Sequence, residues 1–157
     1  KASIRQIEAG PIPLLLNKHD HFMVGKTRVC IGGADDPVTL RFDITGFLDT
    51  SLQRTFNNAA PSDFRLLMSH RPRALDLAEK HKVNLTLSGH THGGQIGING
   101  HSVWDVLSRD AYLWGSYSRG KARLYTTSGM GHWFPFRLGC PLEAPIIILH
   151  KSKKNRV

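Results

Sequence analysis

The run Leu87-Ser88-Gly89-His90-Thr91-His92-Gly93-Gly94-Gln95 constrains this chain more than any other stretch. A short apolar segment, Val83 to Leu87, leads into it, and glycines at 89, 93 and 94 let the backbone turn sharply at the exit. His90 and His92 stand two residues apart. On an extended segment such residues share a face, so both rings can reach one metal ion or a close pair. A second apolar run, Phe64 to Met68, ends in the same way at His70. Between the two runs, Pro72 suits the first turn of a helix that continues through Lys80, with Leu75, Leu77 and Ala78 as its apolar contacts. Residues 64 to 95 therefore form a strand, helix, strand and loop with histidine at both strand exits. In open α/β sheets the carboxyl ends of strands are where ligands collect. Three histidines at such ends point to a metal site, and a metal site to hydrolytic chemistry.

The same alternation extends to either side and places the chain in the α/β class. Lys1 to Gly10 predicts an amphipathic helix closed by its glycine. Pro13 to Asn17 predicts a strand. His21 to Val24 and Thr27 to Ile31, joined by Gly25-Lys26, predict a hairpin, and residues 32 to 37 a loop. Asp49 to Asn58 is expected to be helical, residues 96 to 120 irregular, and Arg123 to Thr127 and Ala144 to His150 late strands. No repeat, low-complexity tract or linker divides the chain. Residues 1–150 are taken as one domain portion and 151–157 as a basic tail.

Composition narrows the function classes. With 157 residues and 40% hydrophobic content, the chain can bury a core and is not a disordered segment. No apolar run approaches the roughly 20 residues that span a bilayer, and no signal peptide is visible. The chain does not begin with Met, so it is expected to be a piece that starts partway through a protein, with any targeting segment in the absent part. The formal charge is +9, of which the tail Lys151 to Arg156 supplies four positive charges and no negative one. A solvated end is the ordinary meaning of such a tail; contact with anionic lipid head groups or phosphates is the functional alternative. Aromatic platforms interleaved with basic residues are absent, so no nucleic-acid partner is expected. Cys30 lies in an apolar run, where a thiol is usually a small buried hydrophobe, and it shares no zinc-ribbon spacing with Cys140.

Several motifs together resemble the C-terminal half of the calcineurin-like metallophosphoesterase superfamily. Ser69-His70-Arg71-Pro72 matches the family's histidine followed two residues later by proline, and Gly89-His90-Thr91-His92 its Gly-His-x-His signature. The following Gly93-Gly94-Gln95 is similar to the bacterial membrane-associated phosphoesterases, which include UDP-2,3-diacylglucosamine hydrolases. Asn17, Cys30 to Pro37, Ser128-Gly129-Met130-Gly131, Pro135-Phe136-Arg137 and Pro141-Leu142-Glu143 extend the resemblance across nearly the whole chain. Leu142 stands where that subfamily usually has proline.

The resemblance implies part of a two-sheet sandwich flanked by helices, and two divalent ions (Mn, Zn or Fe) in the intact enzyme. One ion takes His70 and His90 and the other His92. A bridging water attacks phosphorus in a phosphodiester or pyrophosphate, on a phosphorylated small molecule or a lipid-linked substrate. The family's remaining ligands come from N-terminal Asp-x-His, Gly-Asp-x-x-Asp and Gly-Asn-His motifs, which this sequence lacks. Asp35-Asp36 matches a different segment. The missing Gly-Asn-His histidine is also the usual proton donor, so no residue of this chain is assigned a catalytic role. The chain by itself is expected to be inactive, and a non-catalytic half-domain or interaction fragment is the alternative. A bacterial protein, cytoplasmic or peripheral to a membrane, is the implied setting.

Other residues are weighed one by one. Arg137 either binds phosphate bidentately or forms a salt bridge. Gln95 either orients a ligand through a hydrogen bond or stabilises its turn. Trp104, Tyr112, Trp114 and Trp133 belong to the core or line an apolar wall for an acyl chain. His19, His21, His81, His101, His132 and His150 show no ligand spacing with one another and are expected on the surface or in packing roles.

Overall fold

Strands whose crossover connections carry helices pair in parallel, and four strands of this chain do so. The computed structural model describes residues 2–36, 43–60, 64–107 and 112–150. The basic tail and Pro37 lie outside the described residues. The helices are α1 (Ala2–Glu8), α2 (Ile44–Thr55) and α3 (Leu75–Ala78). The strands are β1 (Lys18–Val24), β2 (Thr27–Gly33), β3 (Phe64–Met68), β4 (Leu85–Ser88), β5 (Gly97–Ile98), β6 (His101–Ser102), β7 (Gly115–Arg119) and β8 (Ala122–Thr126). Six of these form one sheet in the order β1-β2-β3-β4-β8-β7, and β5-β6 form a separate antiparallel pair. The core strands β2, β3, β4 and β8 are mutually parallel, and the antiparallel β1 and β7 flank them. A mixed sheet with helices and a second small sheet is an α/β fold, consistent with a sandwich. Among the described residues no helix is long and apolar enough to cross a membrane.

Registration puts Cys30 beside Arg65, Leu67 beside Thr86, and Thr86 beside Leu124. Neighbours in register share a face, and this face receives the helices. Cys30, Leu67, Ala122 and Leu124 pack with Leu52 and Phe56 of the α2 segment and Leu75 and Ala78 of α3 in one buried cluster. Arg65 is buried among them, its guanidinium donating to the carbonyls of His81 (2.7 Å) and Ala59 (2.8 Å) and lying over the Phe56 ring. Leu66, Leu85, Leu87 and Tyr125 occupy the opposite face and are only half buried.

The hairpin and β3 follow the sequence closely, whereas other elements differ for identifiable reasons. α2 begins at Ile44 rather than Asp49, because the Asp43 carboxylate accepts the Gly46 N–H (2.9 Å) as an N-cap. The helix after His70 is shorter than expected, a 3-10 turn over Pro72–Ala74 followed by α3. Pro13 to Asn17 is not a strand. Asn17 turns the chain at φ 53°, and the Leu15 backbone lies so close to Gly33 that a Cβ there would sit 2.0 Å from its carbonyl oxygen. Residues 96–120 contain β5, β6 and β7. Ala144 to His150 makes no ladder among the described residues, and Ile146 and Ile148 are 88% and 71% exposed. An apolar run becomes a strand only where a neighbour satisfies its backbone, and β8 is already paired on both sides by β4 and β7.

Leu67 is fully buried at the centre of this sheet. Leu67→Ala is expected to lower unfolding free energy by about 2–5 kcal/mol, with the midpoint of urea denaturation falling and its slope unchanged.

Candidate metal centre

Parallel pairing sends the carboxyl ends of β2, β3, β4 and β8 to one edge of the sheet, so the segments that follow them meet. These are Ala34–Asp36, Ser69–Arg71, Gly89–Gln95 and Thr127–Gly131. Their entry points are tied strand to strand, with Ala34 N–H donating to Met68 (3.0 Å), Ser69 to Leu87 (3.1 Å) and Thr127 to Ser88 (2.8 Å). Ser51 of α2 fixes the first segment by accepting the Asp35 N–H (2.9 Å) and donating to Asn17 Oδ1 (2.6 Å).

The structure brings His70 and His90 into contact. Nδ1 of His90 lies 3.0 Å from Nε2 of His70, and Nε2 of His90 lies 3.2 Å from an Arg71 terminal nitrogen. A guanidinium N–H can only donate, so His90 Nε2 accepts, and the ring proton sits on Nδ1 and is donated to His70. Arg71 is held in turn by Asp36, its Nε donating to Oδ1 at 2.6 Å. The other Asp36 oxygen lies 4.0 Å from His70 Nε2. Burial, then the Arg71 charge and His70, hold the His90 imidazole below its usual range. It is therefore a neutral ring near pH 7, the form that binds metal.

His92 is set apart from this pair. β4 ends at Ser88, and His90 and His92 both sit at positive φ, 73° and 50°, inside a loop that also carries Gly93, Gly94 and Gln95 at positive φ. The shared-face rule for extended residues therefore does not apply. Non-glycine residues in this region are uncommon, and such strain concentrates at functional sites. The His92 ring stacks on Trp133 with centroids 5.1 Å apart, and its Nδ1 is buried without a hydrogen-bond partner among the described residues. Burial, followed by Arg137, His132 and His70, keeps this imidazole below its usual range too.

Gln95 is buried and its amide is committed to a loop. Oε1 accepts the N–H groups of Trp133 and Phe134, and Nε2 donates to the carbonyl of Phe136 (2.8 Å). It therefore holds the tryptophan that stacks on His92. Arg137 forms no ion pair among the described residues. Its terminal nitrogens donate to the carbonyls of Ser128 (2.8 Å), Pro141 (3.2 Å) and Gly131, which shapes the loop after β8. Sequence reasoning gave Asp36, Arg71 and Glu143 no role at the site, and weighed Trp133 only as core or as part of an apolar wall. The available signal was topological: Asp36 and Arg71 each follow the end of a parallel strand.

The residues present fit divalent metal. Two nitrogens on one tetrahedral ion stand about 3.3 Å apart when each bond is about 2.0 Å, close to the His70–His90 spacing. The partnerless Nδ1 of His92 is a further donor. The three do not form one compact cage, because His19, His21 and Cys30 are the only trio of His, Cys or carboxylate side chains among the described residues whose ligand atoms all lie within 4.8 Å of one another.

Glu143 locks the loop after β8 against this edge. Its carboxylate accepts from the Trp114 indole (2.9 Å), the Ser128 N–H (3.0 Å) and the Tyr125 hydroxyl. Burial drives the Glu143 carboxyl up, but the hydrogen bonds from Tyr125, Ser128 and Trp114 together outweigh it and leave it below its usual value. Burial and Glu143 push the Tyr125 hydroxyl up to about 12. A depressed folded-state carboxyl stabilises above its unfolded value and loses that contribution as pH falls through the folded one. Glu143→Gln should therefore cost about 1.5–3 kcal/mol at pH 7. Denaturation measured at successive pH values should show the gap to the parent closing below about pH 4.

Several known proteins are similar in sequence. An uncharacterized metallophosphoesterase of Helicobacter pylori (strain J99) is 33% identical over 157 residues, covering 93% of this chain and 40% of the relative. An uncharacterized metallophosphoesterase of Bacillus subtilis, YkuE, is 31% identical over 67% of this chain and 34% of its own length. Phosphodiesterase YaeI of Escherichia coli is 32% identical over 54% of this chain and 32% of its own. The chain thus spans less than half the length of each of these relatives. No family profile matches it, and no solved structure gives a significant match. Similarity along most of the chain thus runs to proteins named as metallophosphoesterases.

Proposed function

We propose that this chain forms the C-terminal portion of a phosphoester hydrolase and supplies His70, His90 and His92 to a two-ion centre, His70 and His90 to one ion and His92 to the other. The observation that carries this reading is the contact between two imidazole nitrogens at the ends of neighbouring parallel strands, with the partnerless His92 nitrogen on the next loop. Divalent ions supply Lewis acidity toward phosphate oxygens and water when bound. The chain's own residues prepare the ligands. Asp36 holds Arg71, Arg71 donates to His90 Nε2 and fixes the plane of the ring, and His90 Nδ1 meets His70. An ion held by both rings would replace the Nδ1 proton, which moves to Nε2 as Arg71 withdraws. Gln95 fixes Trp133 against His92.

The reaction we assign to the complete protein is in-line attack of water on a phosphodiester or pyrophosphate. A lipid-linked substrate is favoured by a pocket of about 420 Å³ that borders His90 and is lined by Trp104, Leu113, Trp133, Phe134 and Phe136. The peripheral membrane setting is proposed on the same ground. Because the chain lacks the Asp-x-His, Gly-Asp-x-x-Asp and Gly-Asn-His motifs, and its three candidate ligands do not converge, we assign it no turnover of its own. A purely structural half-domain is the competing reading.

Elemental analysis combined with hydrolysis of bis(p-nitrophenyl) phosphate separates these readings, run on this chain and on a longer polypeptide carrying the N-terminal motifs. We expect more metal per polypeptide in the longer form than in the chain alone, turnover only in the longer form, and a drop in kcat/KM of about 100-fold or more for His90→Ala in the longer form. Full activity in that variant would remove His90 from the centre. Turnover by the chain alone at the longer form's rate would overturn the half-site assignment.

A further inference from the structure

A second constellation of donor side chains stands on the hairpin at the sheet's edge. His19 and His21 are separated by one residue on β1, so their side chains leave the same face. Antiparallel registration sets Cys30 of β2 directly opposite His21, and Gly32 opposite His19. Strand alternation and cross-strand pairing thus put two imidazoles and a thiol on one face, and their ligand atoms all lie within 4.8 Å of one another. The two rings meet edge to face, with centroids 5.0 Å apart. Gly32 leaves the space that α2 needs, since a Cβ there would come within 2.5 Å of Thr55.

The hydrogen bond made by His19 bears on its chemistry. Its Nδ1 lies 2.6 Å from the backbone oxygen of Thr55, the last residue of α2. A carbonyl can only accept, so the proton is on Nδ1 and the lone pair on Nε2. This is the arrangement in which metal-ligating histidines are commonly oriented, with the second nitrogen donating to a carbonyl. The negative end of the α2 dipole adds attraction for a cation on that side.

We propose that His19 Nε2, His21 and the Cys30 thiolate form a binding site for a borderline-soft divalent ion such as Zn²⁺, separate from the His70–His90–His92 loops. Thiolate with imidazole is a donor set that zinc accepts. Tetrahedral ligands at about 2.0 Å (nitrogen) and 2.3 Å (sulfur) stand about 3.3–3.6 Å apart. The trio therefore has to close by no more than about 1.5 Å, within side-chain rotation for the exposed His21. Binding forms a metal–sulfur bond and releases the Cys30 thiol proton to solvent. The bound ion clips β1 and β2 to the C-terminal end of α2.

Cobalt is the probe. The purified chain, stripped with chelator and titrated with Co²⁺, should develop a thiolate-to-cobalt charge-transfer band together with the intense visible bands of a tetrahedral ion. Only Cys30 and Cys140 can supply that sulfur. The band should persist in Cys140→Ser and in the His90→Ala/His92→Ala background, and vanish in His21→Ala and Cys30→Ser. His21 is exposed, so circular dichroism of His21→Ala should match the parent. Zn²⁺ should raise the thermal midpoint of the parent and not that of His21→Ala. Absence of the band in the parent, its survival in His21→Ala, or its loss in Cys140→Ser alone would overturn the proposal.

Discussion

Parallel pairing of β2, β3, β4 and β8 is the constraint on which the rest of this molecule depends. It fixes the direction of four strands, so every loop that leaves a carboxyl end emerges on one edge. It also requires crossover connections, which are α2 between β2 and β3 and the short helical segment between β3 and β4. Those helices pack on the face carrying Cys30, Leu67 and Leu124 and make the core there. Without this arrangement Asp36, His70 and His90, up to 54 positions apart in the chain, would have no reason to meet.

On this edge, precision comes from hydrogen bonds to backbone. Gln95 and Arg137 are long polar side chains that a sequence reader assigns to ligands, yet both are occupied with main-chain groups of the 128–141 loop. Glu143 does the same from the far side of that loop. Buried polar groups must be paired, and here the pairing positions Trp133 on His92. The cost of the strained His90 and His92 backbones is offset by these surrounding ties. The resulting geometry holds two imidazoles in contact and a third apart.

The two faces of the sheet are unequal. The helix face is closed, whereas the face of Leu66, Leu87 and Tyr125 is half buried, and the apolar run 144–150 beside it makes no ladder among the described residues. Pro145 and Ile147 of that run border a cavity of about 430 Å³ with His70, Leu87 and Tyr125. Relatives more than twice as long as this chain have further sequence beyond the part it matches.

Sequence alone determined the alternating strand–helix order, the hairpin at Gly25-Lys26, β3, and the three histidines as candidate ligands. These are local properties of periodicity, turn chemistry and residue type. It overextended the helix after Pro72 and made strands of residues 13–17 and 144–150, because local apolarity does not report whether a neighbouring strand exists. It treated His90 and His92 as sharing a face, since spacing along the chain does not report that both residues take left-handed backbone conformations inside the loop. It set His19 and His21 aside, because the thiol that meets them is directly opposite on the next strand. Tertiary structure decided which side chains face each other, since strand register and loop closure join residues that no spacing along the chain connects.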